Sequence, residues 1–313
     1  EKKQRKIIEL NNISNVNFQQ IKDKHKDIDC VIGGPPCPPF SKSRFYLEKK
    51  PRALEDPEGY LTLKEYFRAI KELNPYSFVF ENVPGFVFKP HKEALNLFNE
   101  YAKELGYITP NCDVLNCADF GIPQIRERFF AIGIKDKVFE FPSPTHFDLT
   151  KIDHLYENQI SIGEIKNAIK ARITCSEAIG DLDFPLDEDE NNQAGSKHAH
   201  LLKQVPPGEN YLFFTKERGH PNPEFKWRSR YWSFLLKLSP DLPSWTIQAS
   251  FSNNQGPFHW SNRFLRIAEI KRLQSFPDDY EFCGEFKDQW RQIGNAVPPL
   301  MAEILAKKLK EYF

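Results

Sequence analysis

The chain has 313 residues, 40% hydrophobic and 27% charged, and its 43 basic and 43 acidic residues leave a formal net charge of zero. That composition is ordinary for a globular protein of one large or two moderate domains, and it excludes polyanion binding through bulk charge, so any nucleic-acid surface must be local. No apolar run approaches the roughly 18–20 residues of a membrane span, the charged opening does not read as a signal peptide, and six cysteines in a chain of this length are no disulfide framework, which points to a reducing compartment.

Residues 1–27 are charged and weakly patterned, with a short strand expected at 7–10 and a short helix at 18–26. Residues 28–32 read as a buried strand. Gly33-Gly34-Pro35-Pro36-Cys37-Pro38-Pro39-Phe40-Ser41 then stops any regular element. A cysteine in a rigid turn at a strand end is well presented as a nucleophile, provided its neighbours favour the thiolate. Taken alone, it reads more readily as a small buried hydrophobe. Residues 41–53 carry Lys42, Arg44, Lys49, Lys50 and Arg52 against Glu48. That is a solvated basic loop or, beside such a cysteine, one that grips phosphates.

The period of Leu63, Phe67, Ile70 and Leu73 predicts a helix over 61–73, ended by Pro75. Residues 76–80 read as a strand running into Glu81-Asn82-Val83-Pro84-Gly85. A helix is expected over 91–105 with Gly106 as its stop, then a strand over 107–114. Gln124-Ile125-Arg126-Glu127-Arg128 leads into a strand over 129–134. Alternating strands and helices with polar residues at strand ends indicate an α/β domain with a mainly parallel sheet, whose sites lie at the carboxyl ends of strands. Arg126 and Arg128, two apart on an extended segment, are expected on one face.

After about residue 140 prolines and aromatics dominate, with one helix expected near 160–171. Residues 181–190 form an acidic run, expected to be a solvated loop. Lys216, Arg218, Lys226, Trp227, Arg228, Arg230, Tyr231 and Trp232 interleave basic and aromatic side chains, a pattern that suits nucleic acid nearly as well as ordinary cation–aromatic packing. Helices are expected at 263–275 and after a turn at 292–299. The Cys112/Cys117 and His198/His200 pairs lack second ligand pairs at metal spacing, so no metal site is expected.

Five segments in order resemble the C5-cytosine DNA methyltransferase family. They are Pro35-Pro36-Cys37 with Phe40-Ser41; Glu81-Asn82-Val83; Gln124-x-Arg126-x-Arg128; Arg272 to Asp278; and Gln292 to Pro298. The resemblance implies an α/β, Rossmann-like S-adenosylmethionine-dependent methyltransferase sheet over 1–145, completed by 286–313, with a smaller target-recognition domain over 146–285. It implies Cys37 as nucleophile, Glu81 as acid at the base N3, Arg128 on the base O2, and Arg126 as a positioning group. Pro35, Leu61 and Asn295 would serve the cofactor site, with the Pro35 carbonyl also open to the exocyclic amine. Ser41, Arg44, Lys216, Arg218, Arg228 and Arg230 would contact double-stranded DNA.

The implied activity is methylation of a flipped-out cytosine in a specific sequence by a cytoplasmic, prokaryotic enzyme paired with a restriction endonuclease. An RNA-methylating branch and a non-catalytic DNA-binding relative remain alternatives. Two departures stand out. The family's Gly-rich cofactor strand, expected well before the cysteine, has no counterpart in the 36 residues that precede Cys37. The ribose-binding acid after the second strand is missing too, and Asn11-Asn12-Ile13 stands where an aspartate is usual. With Met301 the only methionine, the sequence reads as a fragment or processed chain. The expectation is that residues 1–313 alone bind S-adenosylmethionine weakly, the missing segment being lost or supplied separately.

Overall fold

The computed structural model describes residues 12–25, 27–41, 50–108, 110–152, 170–186 and 193–313. The expected strand at 7–10, most of the basic loop, the helix near 160–169 and the end of the acidic run lie outside them. In chain order the strands are β1 (Cys30–Gly33), β2 (Ser77–Asn82), β3 (Asn111–Asn116), β4 (Gln124–Ile125), β5 (Glu127–Ile134), β6 (His146–Phe147), β7 (Lys170–Ala171) and β8 (Ser244–Trp245). The helices are α1 (Phe18–His25), α2 (Pro57–Leu73), α3 (Lys92–Glu104), α4 (Leu149–Ile152), α5 (Cys175–Ile179), α6 (Ala199–Gln204), α7 (Ile267–Leu273), α8 (Phe286–Asn295) and α9 (Pro299–Lys310).

Two compact units result. The first holds residues 1–115, 127–141 and 312; the second holds 116–126, 142–311 and 313. This grouping departs from the expected boundaries, because residues 286–311 cluster with the second unit. The reason is apolar: Trp290 and Ile293 of α8 share a core with Leu238, Ile247, Leu265, Ile270 and Leu273.

In the first unit β1, β2, β5 and β3 form a four-stranded sheet in that order. β1 and β2 are parallel. The expectation of a mainly parallel sheet fails at β5, which runs antiparallel to β2, with Ser77 opposite Ile134 and Asn82 opposite Phe129. The segment 117–126 leading into β5 contains no α-helix, and a parallel return needs a crossover of a dozen or more residues.

Local chemistry sets the helix ends. Asp56 caps α2, its Oδ1 accepting from Glu58 N at 3.0 Å, and Pro57 occupies the first turn. Asn74 closes α2 in the left-handed region at φ 50°, donating its N–H to Ile70 O. The helix is therefore one turn longer than the apolar period alone suggests. Gly106, at φ +79°, follows the end of α3 as expected. Between helices and sheet lies an aromatic core. Phe80 sits 4.9 Å from Phe98 and 5.1 Å from Tyr66, and Phe86 stacks on Phe129 at 5.1 Å. Burying each such ring contributes roughly 1.5–3 kcal/mol. Arg68 ties the amino-terminal segment down, donating to the carbonyls of Ile13 and Val16 at 2.6 and 3.1 Å.

The second unit is mostly irregular, with the short parallel pairs β4–β8 and β6–β7. Residues 170–171, expected to end a helix, belong to β7 instead. The helix expected at 263–275 is confined to α7. Arg263 turns back to a bidentate ion pair with Glu269, at 2.6 and 2.9 Å, which is incompatible with its standing as an outward helical residue. The turn expected at 292–299 is preceded by α8, which runs through Asn295. Phe286, Trp290 and Ile293 give α8 the 4-then-3 spacing of a packing face, a signal the sequence reading passed over.

Candidate active site

Cys37 leaves β1 through Pro35 and Pro36 and opens a 3₁₀ turn, Pro38–Phe40, whose prolines preset φ. Phe40 N donates to Cys37 O at 3.0 Å and Ser41 N to Pro38 O at 3.2 Å. Phe40 is fully buried, 4.8 Å from the Phe86 ring. The turn is thus anchored at its far end while Cys37 stays exposed. Three other thiols differ from it. Burial pushes Cys112 up to about 11 and Cys175 up to about 12, and it also raises Cys30.

Because β1 and β2 are parallel with Gly33 opposite Phe80, residues 34 and 81 emerge at the same edge of the sheet. Glu81 is the penultimate residue of β2, not the residue after it. A methyl group on Gly34 would lie 3.1 Å from Glu81 Oε2. Asn82 Nδ2 donates to Pro35 O at 3.4 Å, a long bond that links the cysteine turn to the end of β2. On the other side Phe130 opposes Glu81, so Arg128 lies diagonally across on the same face. Arg128 Nε is 3.2 Å from Glu81 Oε1, and its Nη1 donates to Glu127 O at 2.7 Å. The first unit therefore assembles a thiol, a carboxylate and a guanidinium at one sheet edge.

Arg126 and Arg128 do not share partners, contrary to the one-face expectation. The backbone passes from β4 to β5 between them, and the two strands pair with different neighbours. Arg126 is buried, at 1% exposure. Its Nη1 donates to Ile247 O at 3.1 Å and its Nη2 to Gly294 O and Ala296 O at 2.8 and 3.0 Å. Gln274, which sequence reasoning did not single out, does the same work: its Nε2 donates to Ile293 O at 3.1 Å and Ala296 O at 2.8 Å. Gln124 joins it, donating to Gln274 Oε1 and Leu273 O. These buried side chains hold the turn that carries the exposed Asn295.

In the first unit the other expected cofactor residues are accessible. Leu61 is 40% exposed on α2, and Ile32, not singled out before, is 76% exposed at the end of β1. Both suit an apolar ring. No glycine precedes Gly33 in the chain, so a Gly-rich turn for a nucleotide-like cofactor is absent from that stretch. Ser41 is half-buried, and Arg44 lies outside the described residues. Lys216, Arg218, Arg228 and Arg230 are exposed in the second unit. Arg218 pairs with Glu209 at 2.5 Å. Arg230 packs over Phe225 and Phe234, at 6.0 and 5.8 Å. No helix among the described residues is long and apolar enough to cross a membrane.

Comparison with known proteins gives this arrangement a context. The model of the C-5 cytosine-specific DNA methylase family matches residues 2–311. The chain is 40% identical over 300 residues to the Type II methyltransferase M.SacI of Streptomyces achromogenes, covering 92% of this chain and 73% of that protein. It is 32% identical over 291 residues to M.NgoFVII of Neisseria gonorrhoeae, covering 92% and 71%. Among solved structures, the Entamoeba histolytica methyltransferase EhMeth shares the fold with a TM-score of 0.56 at 16% identity, over 97% of this chain and 83% of that one. With the thiol, the carboxylate and the guanidinium together at the sheet edge and the family match running through both units, the chain belongs to the C-5 cytosine-specific DNA methylases.

Proposed function

We propose that Cys37, Glu81 and Arg128 carry out cytosine-5 methylation on duplex DNA, with the modification half of a Type II restriction-modification pair as the setting. Cytosine C5 is a poor nucleophile. Cys37 thiolate adds to C6 and sends electron density to C5, while Glu81 donates a proton or hydrogen bond to N3, a contribution of typically ~10²–10⁴ in rate. Arg128 holds Glu81 in place through the 3.2 Å contact, and the hydrogen bond to the base O2 is the role that the family resemblance implies for it. S-adenosylmethionine, when bound, supplies the electrophilic methyl group. Loss of the C5 proton to a water molecule and return of the N3 proton to Glu81 then expel Cys37 from C6 as the thiolate and restore the aromatic ring. The base must leave the stack to be reached.

Ile32, Leu61 and Pro35 in the first unit, and Asn295 in the second, are the residues of this chain that suit the cofactor. Without a Gly-rich turn before Gly33, we expect residues 1–313 to bind it more weakly than micromolar. By function, though not by packing, we keep the division that the resemblance implies: cofactor binding by 1–145 with 286–313, and target reading by 146–285, while residues 286–311 group with the second unit. The observation that carries the reading is the grouping of Cys37 and Glu81 beyond and at the carboxyl ends of the parallel strands β1 and β2 with Arg128 at the start of the antiparallel β5.

Its test is methyl transfer to duplex DNA by the chain and by Cys37→Ala, each alone and with a polypeptide carrying the family's Gly-rich strand added in trans. Cys37→Ala should bind duplex and transfer nothing. Transfer by the variant above a few per cent of the parent rate overturns the assignment.

A further inference from the structure

Tyr231 is 82% exposed, the highest value among the exposed large hydrophobic side chains of the described residues. Its mounting is unusual. The main chain on either side of it is held by two neighbouring side chains that are themselves buried, Asn210 at 2% and Tyr211 at 1% exposure. The Tyr211 hydroxyl donates to Arg230 O at 2.9 Å and accepts from Arg230 N at 3.2 Å. Asn210 Nδ2 donates to Trp232 O at 2.8 Å. Tyr231 O accepts from Phe234 N at 2.9 Å, which closes the turn. Trp232 leans edge-on against Trp245 at 5.6 Å. Arg230 is occupied by packing over Phe225 and Phe234. A large ring is therefore held out in solvent on a backbone with little freedom.

The charges beside it are cationic. Lys226 and Arg228 are exposed on the same turn, with Ser229 N donating to Lys226 O at 3.2 Å. Glu224 is the acid nearest them in sequence, and Glu209 is taken by Arg218. Exposing a tyrosine ring forfeits burial, and fixing its neighbours costs conformational entropy, so neither stabilises the free protein. Both become favourable when a flat aromatic partner and phosphates arrive together, as they do in DNA.

We propose that the turn 226–232 is a wedge, with Tyr231 inserting between adjacent base pairs of the duplex and Lys226 and Arg228 on the flanking phosphates. The wedge reads deformability: it favours a pyrimidine–purine step, which unstacks most easily. This rests on the DNA-methylating reading of the chain and adds to it a residue that specifies sequence without hydrogen-bonding a base edge.

The test needs no methyl transfer. A preferred duplex is selected from a random pool with the chain, and 2-aminopurine is placed at successive positions along it. Binding of the unsubstituted chain should raise fluorescence at one step. Tyr231→Ala should abolish that rise and weaken binding to the selected duplex by roughly tenfold or more, the scale of one lost base–aromatic stack. Tyr231→Phe should restore both, and affinity for random duplex should change less than twofold. A nick at the step, which removes the unstacking cost, should shrink the deficit of Tyr231→Ala. The wedge is wrong if Tyr231→Ala keeps the fluorescence rise, or if it loses selected and random duplex equally. A chain that binds no duplex at all would overturn the DNA reading itself.

Discussion

Arg128 Nε lies 3.2 Å from Glu81 Oε1, and both side chains are about one-sixth exposed, at 15% and 17%. The pair sits on adjacent antiparallel strands, so its geometry is set by register and not by a flexible loop. Glu81→Gln keeps the shape and removes the acid. We expect a loss of ~10²–10⁴ in methyl-transfer rate from that change. Arg128→Lys keeps the charge but loses the planar fork, and should cost rate with little change in melting temperature. Steady-state methylation together with thermal melts checks both.

Thiol chemistry separates Cys37 from the buried and half-buried cysteines. Iodoacetamide at pH 8 should modify Cys37 and the other exposed thiol, Cys283, while Cys30, Cys112, Cys117 and Cys175 stay protected until the chain unfolds. In a Cys283→Ser chain one fast-reacting thiol should remain, read by intact mass, and duplex DNA should slow its modification. Fast labelling of Cys175, whose thiol burial pushes up to about 12, would contradict the packing around it.

Gly34 and Gly33 predict opposite outcomes for neighbouring substitutions. Among the described residues, a methyl group at Gly34 meets only Glu81 Oε2, at 3.1 Å. Gly34→Ala should therefore displace the carboxylate, lowering activity while leaving the melting temperature almost unchanged. At Gly33 the methyl group would fall 2.4 Å from the Tyr66 ring, and that tyrosine is buried with its hydroxyl donating to Val79 O at 2.9 Å. Gly33→Ala should destabilise the first unit by about 1–3 kcal/mol, seen in urea titration.

Arg126→Met tests the buried clamp. It leaves the carbonyls of Ile247, Gly294 and Ala296 without their guanidinium donors. Ala296 O keeps its bond from Gln274, but each buried carbonyl stripped of its donor costs about 1–3 kcal/mol, so a fall in melting temperature is expected from the losses at Ile247 and Gly294. Activity measured well below that melting point tells whether the residue acts only by holding the 293–296 turn.

His259 should give the second unit an acid-side stability slope. It is fully buried, and burial lowers it to about 4, with Glu269 and Asp183 opposing that shift and Arg263 and Arg266 reinforcing it. Its Nδ1 accepts from Ser261 N at 3.1 Å, as a neutral ring does. The unfolded chain binds the proton near 6.5, so stability falls as pH drops from about 6.5 to about 4. Asp183, held below its usual range, adds a loss at lower pH still. His259→Gln should flatten the 6.5-to-4 part of the curve in urea titrations.

The elements legible in the sequence were those whose cause is local. The proline turn at Cys37, the helix end before Pro75 and the stop at Gly106 follow from residue chemistry within a few positions. So did the apolar faces of α2 and α3. The roles proposed for Cys37, Glu81 and Arg128 came from motif resemblance, and the ends of β1 and β2 bring Cys37 and Glu81 to one edge of the sheet as the α/β pattern implies. Other features depended on partners far along the chain. The direction of β5 is set by which strand it pairs with. Arg126 and Arg128 look alike in sequence, yet one reaches carbonyls at 247, 294 and 296 and the other reaches Glu81, because the backbone changes strand between them. Gln274 lies in a segment that resembles the family, but its partners at 293 and 296 carry no local signal, nor does the grip of Asn210 and Tyr211 on the turn at Tyr231. A hydrogen bond between residues tens or hundreds of positions apart leaves no spacing to read, so only the tertiary structure could decide them.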